Sequence, residues 1–244
     1  MEKKDKNMYE YKTRIRYSEV NSDGILSLPS LLDYFQDCSI FHSEDIGLGL
    51  EYLKENNMVW VLSSWQIDIM RYPKLGENVI VGTAPYDFKG FIGCRNFWMK
   101  TDNNELLACA NSVWSLIDTK EGRPMKLTED MIKGYILSPK MNMEYMERHV
   151  KFAGEQKIYP SMTVKSHNLD TNLHVNNGQY IRIGLDYISN EELLRIKRLR
   201  AEYKIQAKLN SVLYPKKYEY DNKIGISLQN ENEKPYCNME FSFS

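Results

Sequence analysis

Residues 168–177 read NLDTNLHVNN, with four asparagines, one aspartate and one histidine in ten positions. Taken as an extended segment, alternation of side chains puts Asp170, Asn172 and His174 on one side. A helix is expected to begin at Asn176 or Asn177, and a helix N-terminus carries partial positive charge. That field keeps a nearby imidazole neutral, so His174 can accept a proton near neutral pH. It also favours an oxyanion developing close by. Asparagine and aspartate ahead of a helix are equally the residues of caps and Asx-turns. The ten residues alone leave the structural and the catalytic readings both open.

The elements that must position this stretch follow from periodicity. Over residues 27–41, Leu28, Leu31, Leu32 and Phe35 fall at i, i+3, i+4 and i+7, with Ser27 as a cap and Pro29 in the first turn, which predicts an amphipathic helix. MVWVLSSWQIDI then sets Val59, Val61, Trp65, Ile67 and Ile69 on one face of a strand. Further strands are expected near 78–84, 91–100 and 106–117, the last two joined by the turn-forming TDNNE. Helix first and a meandering sheet afterwards is an α+β pattern. Residues 1–133 form the first unit of this reading. Residues 134–157 lack a sustained period and are expected to be a linker, and a second unit starts near Ile158. In it MTVKSHNLD looks extended, NNGQYIRIGLDYI helical, and the remainder to residue 244 strand-like. The order of elements repeats. Laying 20–37 over 169–186 needs no gap and gives one identity, Asp37 with Asp186, so it is the matching order that suggests a duplicated unit.

Composition limits the function classes. With 42% hydrophobic and 27% charged residues the 244-residue chain can bury a substantial core. Thirty-two basic against 33 acidic residues leave nothing global to recruit nucleic acid or an anionic membrane. The first residues lack the apolar core of a signal peptide, and no run approaches a membrane span, so a cytoplasmic protein is expected. Cys38, Cys94, Cys109 and Cys237 are widely spaced, which predicts buried, reduced thiols. His42, Glu44 and Asp45 are explained by helix-end polarity without a metal. No glycine-rich phosphate loop is present, and no cofactor is expected.

NLDTNLHVNNGQYI resembles the D-x-N-x-H-V-N-N-x-x-Y signature of acyl-acyl carrier protein thioesterases, enzymes that release fatty acids from the carrier in plants and bacteria. MVWVLSSWQIDIMRYPKLGENVIV (58–81) is similar to that family's W-V and R-Y-P-x-x-G-[DE] segment. ACANSVWSLIDTKEGRPMKL (108–127) is similar to its A-x-S-x-W strand. The resemblance implies a tandem (double) hot-dog fold, each unit a long helix wrapped by a curved antiparallel sheet. It implies an acyl-chain pocket in the first unit and the reacting groups in the second. The overlay agrees, since it sets Asp23 and Ile25 against Asn172 and His174, and isoleucine transfers no proton.

A downstream family motif of the form E-Y-x-x-[ED]-[CA] corresponds to residues 202–207. Plant members end it with glutamate and cysteine, both assigned catalytic roles; here Gln206 and Ala207 stand there. Alanine excludes a cysteine nucleophile at that position, and a glutamine orients water but is no general base. The implied site is Asp170, Asn172, His174 and Gln206, with His174 as the base. The implied partner is an acyl carrier protein bearing a fatty acyl chain; RIKRLR (195–200) with Lys204 and Lys208 offers its acidic surface a basic patch. Leu31, Leu32, Phe35, Trp60 and Trp65 are core residues by default, with a lining role for the acyl chain as the alternative. Acyl-coenzyme A hydrolysis and a non-catalytic acyl-binding module are the rival readings. The tandem repeat leaves both monomer and homodimer open.

Overall fold

The computed structural model describes residues 8–244. It divides into two compact units: one comprises the chain up to Leu62 together with Ile69–Tyr145, the other Ser63–Asp68 together with Met146–Ser244.

In the first unit, β1 (Tyr9–Arg14) is followed by α1 (Leu28–Asp45) and the short α2 (Leu50–Glu55). Then come β2 (Met58–Ile69), β3 (Asn78–Lys89), β4 (Ile92–Thr101), β5 (Leu106–Asp118), β6 (Arg123–Pro124) and α3 (Glu129–Gly134). The pairs β1–β3, β3–β4, β4–β5 and β5–β6 are all antiparallel. The expected helix forms and continues beyond Phe41. Ser27 caps it by accepting from the Ser30 amide, and Pro29 occupies the first turn, where its missing N–H costs nothing. Its buried stripe, Leu28, Leu31, Leu32, Phe35, Cys38 and His42, lies against β1 and β3. Leu31, Leu32 and Phe35 have no exposed surface, which makes them core residues worth about 1.5–3 kcal/mol each. Trp65 is equally buried, whereas Trp60 is half-buried and stacks on Phe88. The TDNNE connection forms its turn with Asn104 at φ 63 and the Thr101 amide bonded to the Glu105 carbonyl.

Along β2 the expected single apolar face is interrupted. Met58 and Leu62 are buried while Val59 and Val61 are only half-buried, and from Ser64 to Ile69 both faces are buried. The second face is polar and internally satisfied. Gln66 Oε1 accepts from the Met146 amide at 2.9 Å, Gln66 Nε2 donates to Asp68, and Asp68 takes the Arg198 guanidinium.

The second unit holds β7 (Gln156–Ile158), β8 (Met162–Thr163), α4 (Asn177–Leu185), α5 (Asn190–Leu193), β9 (Ile196–Tyr203), β10 (Val212–Tyr220), β11 (Lys223–Gln229) and β12 (Pro235–Phe243). Its sheet runs β9-β12-β11-β10-β7, with Ser64–Asp68 of β2 paired to β9 and β8 paired to β10. The expected extension of MTVKSHNLD is cut short: after Thr163 the chain turns through a 3-10 segment at Ser166–Asn168, because Asn168 Oδ1 accepts from the Lys165 amide. Helix α4 packs on β11 and β12, and Gly184 allows the approach, since a Cβ there would lie 2.7 Å from the Met239 sulfur. Each unit thus lays one principal helix on an antiparallel sheet, the arrangement expected of tandem hot-dog units.

Residues 135–155 carry no helix or strand, yet side chains fix them. Asn96 Oδ1 accepts from the Met141 amide and the Tyr145 hydroxyl in the first unit. In the second, Glu202 holds the Val150 amide and His149. The basic residues expected to form a patch divide: Arg195, Lys197 and Lys208 are exposed, and the others are paired with carboxylates. Arg200 is buried against Glu240 and donates to the Glu147 and His149 carbonyls, Arg198 is spent on Asp68, and Lys204 on Glu202. A basic strand residue that faces buried carboxylates is drawn inward to pair with them, because an unpaired buried charge is costly. All four cysteines are free; Cys38, Cys109 and Cys237 are buried and Cys94 only half so. No described helix is long and apolar enough to cross a membrane.

His42 also departs from expectation. It lies in the last turn of α1 but as a buried ring: Arg95 Nη1 donates to its Nδ1 at 3.0 Å, and it stacks on Tyr9. Burial, then the Arg95 charge, lowers its pKa from the usual 6.5 to about 3. Between those values the unfolded chain binds a proton that the folded one does not, so His42 costs stability as pH falls below about 6.5. Lowering pH from about 7.5 to about 4.5 should therefore reduce the urea midpoint more in wild type than in His42→Gln. Equal pH dependence in the two proteins would contradict this placement.

Candidate active site

The 168–177 stretch is a built turn, not an extended segment. Asp170 Oδ1 accepts from the Asn172 amide at 2.8 Å and from the His174 amide at 3.2 Å. The Asp170 amide donates to the His174 carbonyl at 2.7 Å, and the Leu173 amide to the Asp170 carbonyl. Leu173 closes the turn with φ 61, in the left-handed region. One carboxylate that can satisfy two amides within four residues outcompetes an extended chain, which is why simple alternation fails here.

The turn hands the chain to α4. His174 bridges Lys208 antiparallel, and the Val175 amide donates to the Ala207 carbonyl at 2.9 Å. Asn176 then caps α4, its side chain accepting from the Gly178 amide at 2.8 Å. Two tyrosines that sequence reasoning left without a role hold these segments. Tyr180 Oη accepts from the Ala207 amide at 2.9 Å, and the Tyr203 hydroxyl donates to the Asn177 carbonyl at 3.2 Å. The signal for Tyr180 was present, as it is the tyrosine of the quoted signature.

The structure brings Asp170, Asn172 and His174 into one turn, with Asp170 as its hub. Gln206 lies on the segment that pairs with it, next to Ala207. No hydrogen bond joins the Asn172 or Gln206 side chain to a neighbour among the described residues. Both are exposed, and Asp170 and His174 are half-buried. His174 Nδ1 is buried without a hydrogen-bond partner. Ala207 is fully buried and offers no nucleophile.

The first unit repeats the same frame with other side chains. Asn21 Oδ1 accepts from the Asp23 and Ile25 amides, each at 3.1 Å, and the Asn21 amide donates to the Ile25 carbonyl. Gly24 takes the left-handed position at φ 70, Ile25 bridges Lys74, and the Leu26 amide donates to the Pro73 carbonyl. Ile25 thus stands where His174 does, as the gapless overlay placed it, and Tyr72 where Gln206 does.

A duplicated helix-on-sheet unit with one polar loop of this kind defines a double hot-dog protein, and comparison with known proteins makes the family specific. Residues 6–135 match the acyl-ACP thioesterase N-terminal domain and residues 152–244 the acyl-ACP thioesterase C-terminal domain. The chain belongs to the acyl-ACP thioesterase family. It is 28% identical to a chloroplastic acyl-[acyl-carrier-protein] hydrolase of Cuphea viscosissima over 82% of this chain and 51% of that one. A chloroplastic palmitoyl-acyl carrier protein thioesterase of Cuphea hookeriana is 27% identical over 82% and 52%. The chain spans about half the length of these curated relatives. The crystal structure of an acyl-ACP thioesterase from Bacteroides thetaiotaomicron superposes with a TM-score of 0.89 at 24% identity, covering 98% of each chain. That of a 12:0-ACP thioesterase from Umbellularia californica gives 0.80 at 17% identity, covering 97% of each. These two likenesses establish the double hot-dog fold.

Because Asn21 does in one unit what Asp170 does in the other, Asp170→Asn should keep stability within about 1 kcal/mol, while Asp170→Ala should cost about 1–3 kcal/mol by leaving amides unpaired. Urea unfolding of the two variants checks this, and an equal cost for both would contradict it.

Proposed function

We propose that this protein hydrolyses the thioester of a fatty acyl chain carried on acyl carrier protein, releasing the free fatty acid. The family match supports the reaction class, and the observation that carries the reading is His174 on the turn built by Asp170, next to the N-terminus of α4. A thiol has a pKa near ~8.5, so its thiolate leaves without prior protonation and no strong general acid is needed.

In this mechanism the oxygen of a water attacks the thioester carbonyl carbon while the His174 imidazole takes the water's proton. The Asn172 side-chain amide donates to the carbonyl oxygen, or to the attacking water. The carbon–sulfur bond then breaks, the electron pair stays on sulfur, and the imidazolium returns its proton to the thiolate. Asp170 acts by fixing the turn, since its Oδ1 is committed to two backbone amides. Gln206 holds the water by hydrogen bonding and takes no proton. With alanine at 207 the attack is by water, without an acyl-enzyme at that position.

A thiol-release assay on carrier-bound acyl chains of graded length tests the reading. Wild type is expected to release thiol, and His174→Ala to lower kcat/KM by about 10²–10⁴-fold. Full activity in His174→Ala, or no release by wild type from any chain, would refute it. Gln206→Ala, removing only a hydrogen bond to water, should cost about tenfold in kcat. A loss as large as that of His174→Ala would show that Gln206 does more than orient.

A further inference from the structure

The turn that carries His174 holds a leucine in a conformation for which leucine is poorly suited. Leu173 has φ 61 and is 72% exposed, so neither local sterics nor core packing accounts for its side chain. The first unit shows what the frame itself requires: the same hydrogen bonds close around Gly24 at φ 70. A Cβ added there would meet nothing within 4 Å. The second unit therefore bears backbone strain that its own fold does not need, and such strain is characteristic of residues that contact a ligand.

The surroundings indicate what that ligand offers. The antiparallel bridge of His174 with Lys208 sets Leu209 opposite Leu173, and Leu209 is 50% exposed. Ile205, beside Gln206, is 41% exposed. Three solvent-facing aliphatic side chains thus lie on the two segments that hold Asn172, His174 and Gln206. Exposed aliphatic side chains flanking the residues assigned to the reacting carbonyl complement the methylenes next to a reacting sulfur. Those methylenes are the thiol-side end of the phosphopantetheine arm, common to acyl carrier protein and coenzyme A.

Resting on the thioesterase reading above, we propose that Leu173, with Leu209 across from it, packs against the thiol-side arm of the substrate and positions the thioester for His174. Leu173 is on this account a positioning and specificity residue, kept at a cost in backbone strain.

Leu173→Gly separates the two effects, because glycine adopts this φ without strain. Three substrates with one acyl chain are compared: the carrier-bound thioester, the coenzyme A thioester, and the ethanethiol thioester, which lacks the arm. In Leu173→Gly the melting temperature should hold or rise. The ratio of kcat/KM on each arm-bearing substrate to that on the ethanethiol ester should fall by about tenfold, mainly through KM, the size expected from partly burying a leucine side chain. An unchanged ratio would overturn the proposal. So would a fall confined to the carrier-bound substrate, which would place the contact on the carrier's protein surface instead. Absence of wild-type hydrolysis on all three would sink the thioesterase reading itself, an outcome distinct from either.

Discussion

The geometry of the candidate site depends on a single carboxylate oxygen that accepts two backbone amides. Asp170 Oδ1 takes the Asn172 and His174 N–H groups, and so forces the chain through a turn that a run of alternating polar and apolar residues would not otherwise make. Everything beyond it follows in register. His174 leaves the turn opposite Lys208, Val175 bonds to Ala207, and Asn176 caps α4. The imidazole is thereby held at one end of the helix by backbone hydrogen bonds rather than by a side-chain partner. The first unit repeats the frame around Asn21, which shows that the frame is architecture and that the chemistry is written at the positions it presents. Aspartate, glycine, isoleucine and tyrosine occupy those positions in one unit, and asparagine, leucine, histidine and glutamine in the other.

The same economy governs the buried polar groups of each unit. In the first, Arg95 is buried and donates to a neutral His42, with Thr83 and the Tyr135 ring as its other neighbours. In the second, Glu202 and Glu240 are buried carboxylates answered by His149, Lys204, Arg200 and the Tyr220 hydroxyl. Burial alone would raise both carboxyl groups, but for Glu202 the Lys204, His149 and Val150 donors prevail, and for Glu240 the Tyr220 and Arg200 donors, so that each lies below its ordinary range. Glu202, with Asn96 and Gln66, also pins the irregular residues 141–150, which have no ladder of their own.

Much of this was legible in the sequence. The spacing of Leu28, Leu31, Leu32 and Phe35 gave α1, the turn residues of TDNNE gave the β4–β5 hairpin, and the overlay of 20–37 on 169–186 anticipated Ile25 in the place of His174. What escaped were features set by partners distant in sequence. Val59 and Val61 match the alternation of Trp65 and Ile67 but are less buried, because burial along β2 depends on what packs there and not on the pattern alone. RIKRLR reads as a solvated basic run, yet Arg198 and Arg200 face Asp68 and Glu240, 130 and 40 residues away along the chain. His42 reads as a helix-end residue until Arg95 is brought against it. For Asp170 the sequence left an Asx-turn and an extended segment both open, and the turn prevailed because its partners are two amides within four residues.

The account makes the Asp170 carboxylate a scaffold whose work an asparagine oxygen can do. The most direct test is kcat/KM of Asp170→Asn on a carrier-bound acyl thioester, measured on protein shown by amide exchange to keep the Asn172 and His174 N–H groups protected. Activity within about tenfold of wild type is the predicted result, since a neutral amide oxygen has replaced a carboxylate oxygen as the acceptor for the same two N–H groups. A collapse of activity with the amides still protected would mean that the charge of Asp170, and not the turn it builds, drives the reaction.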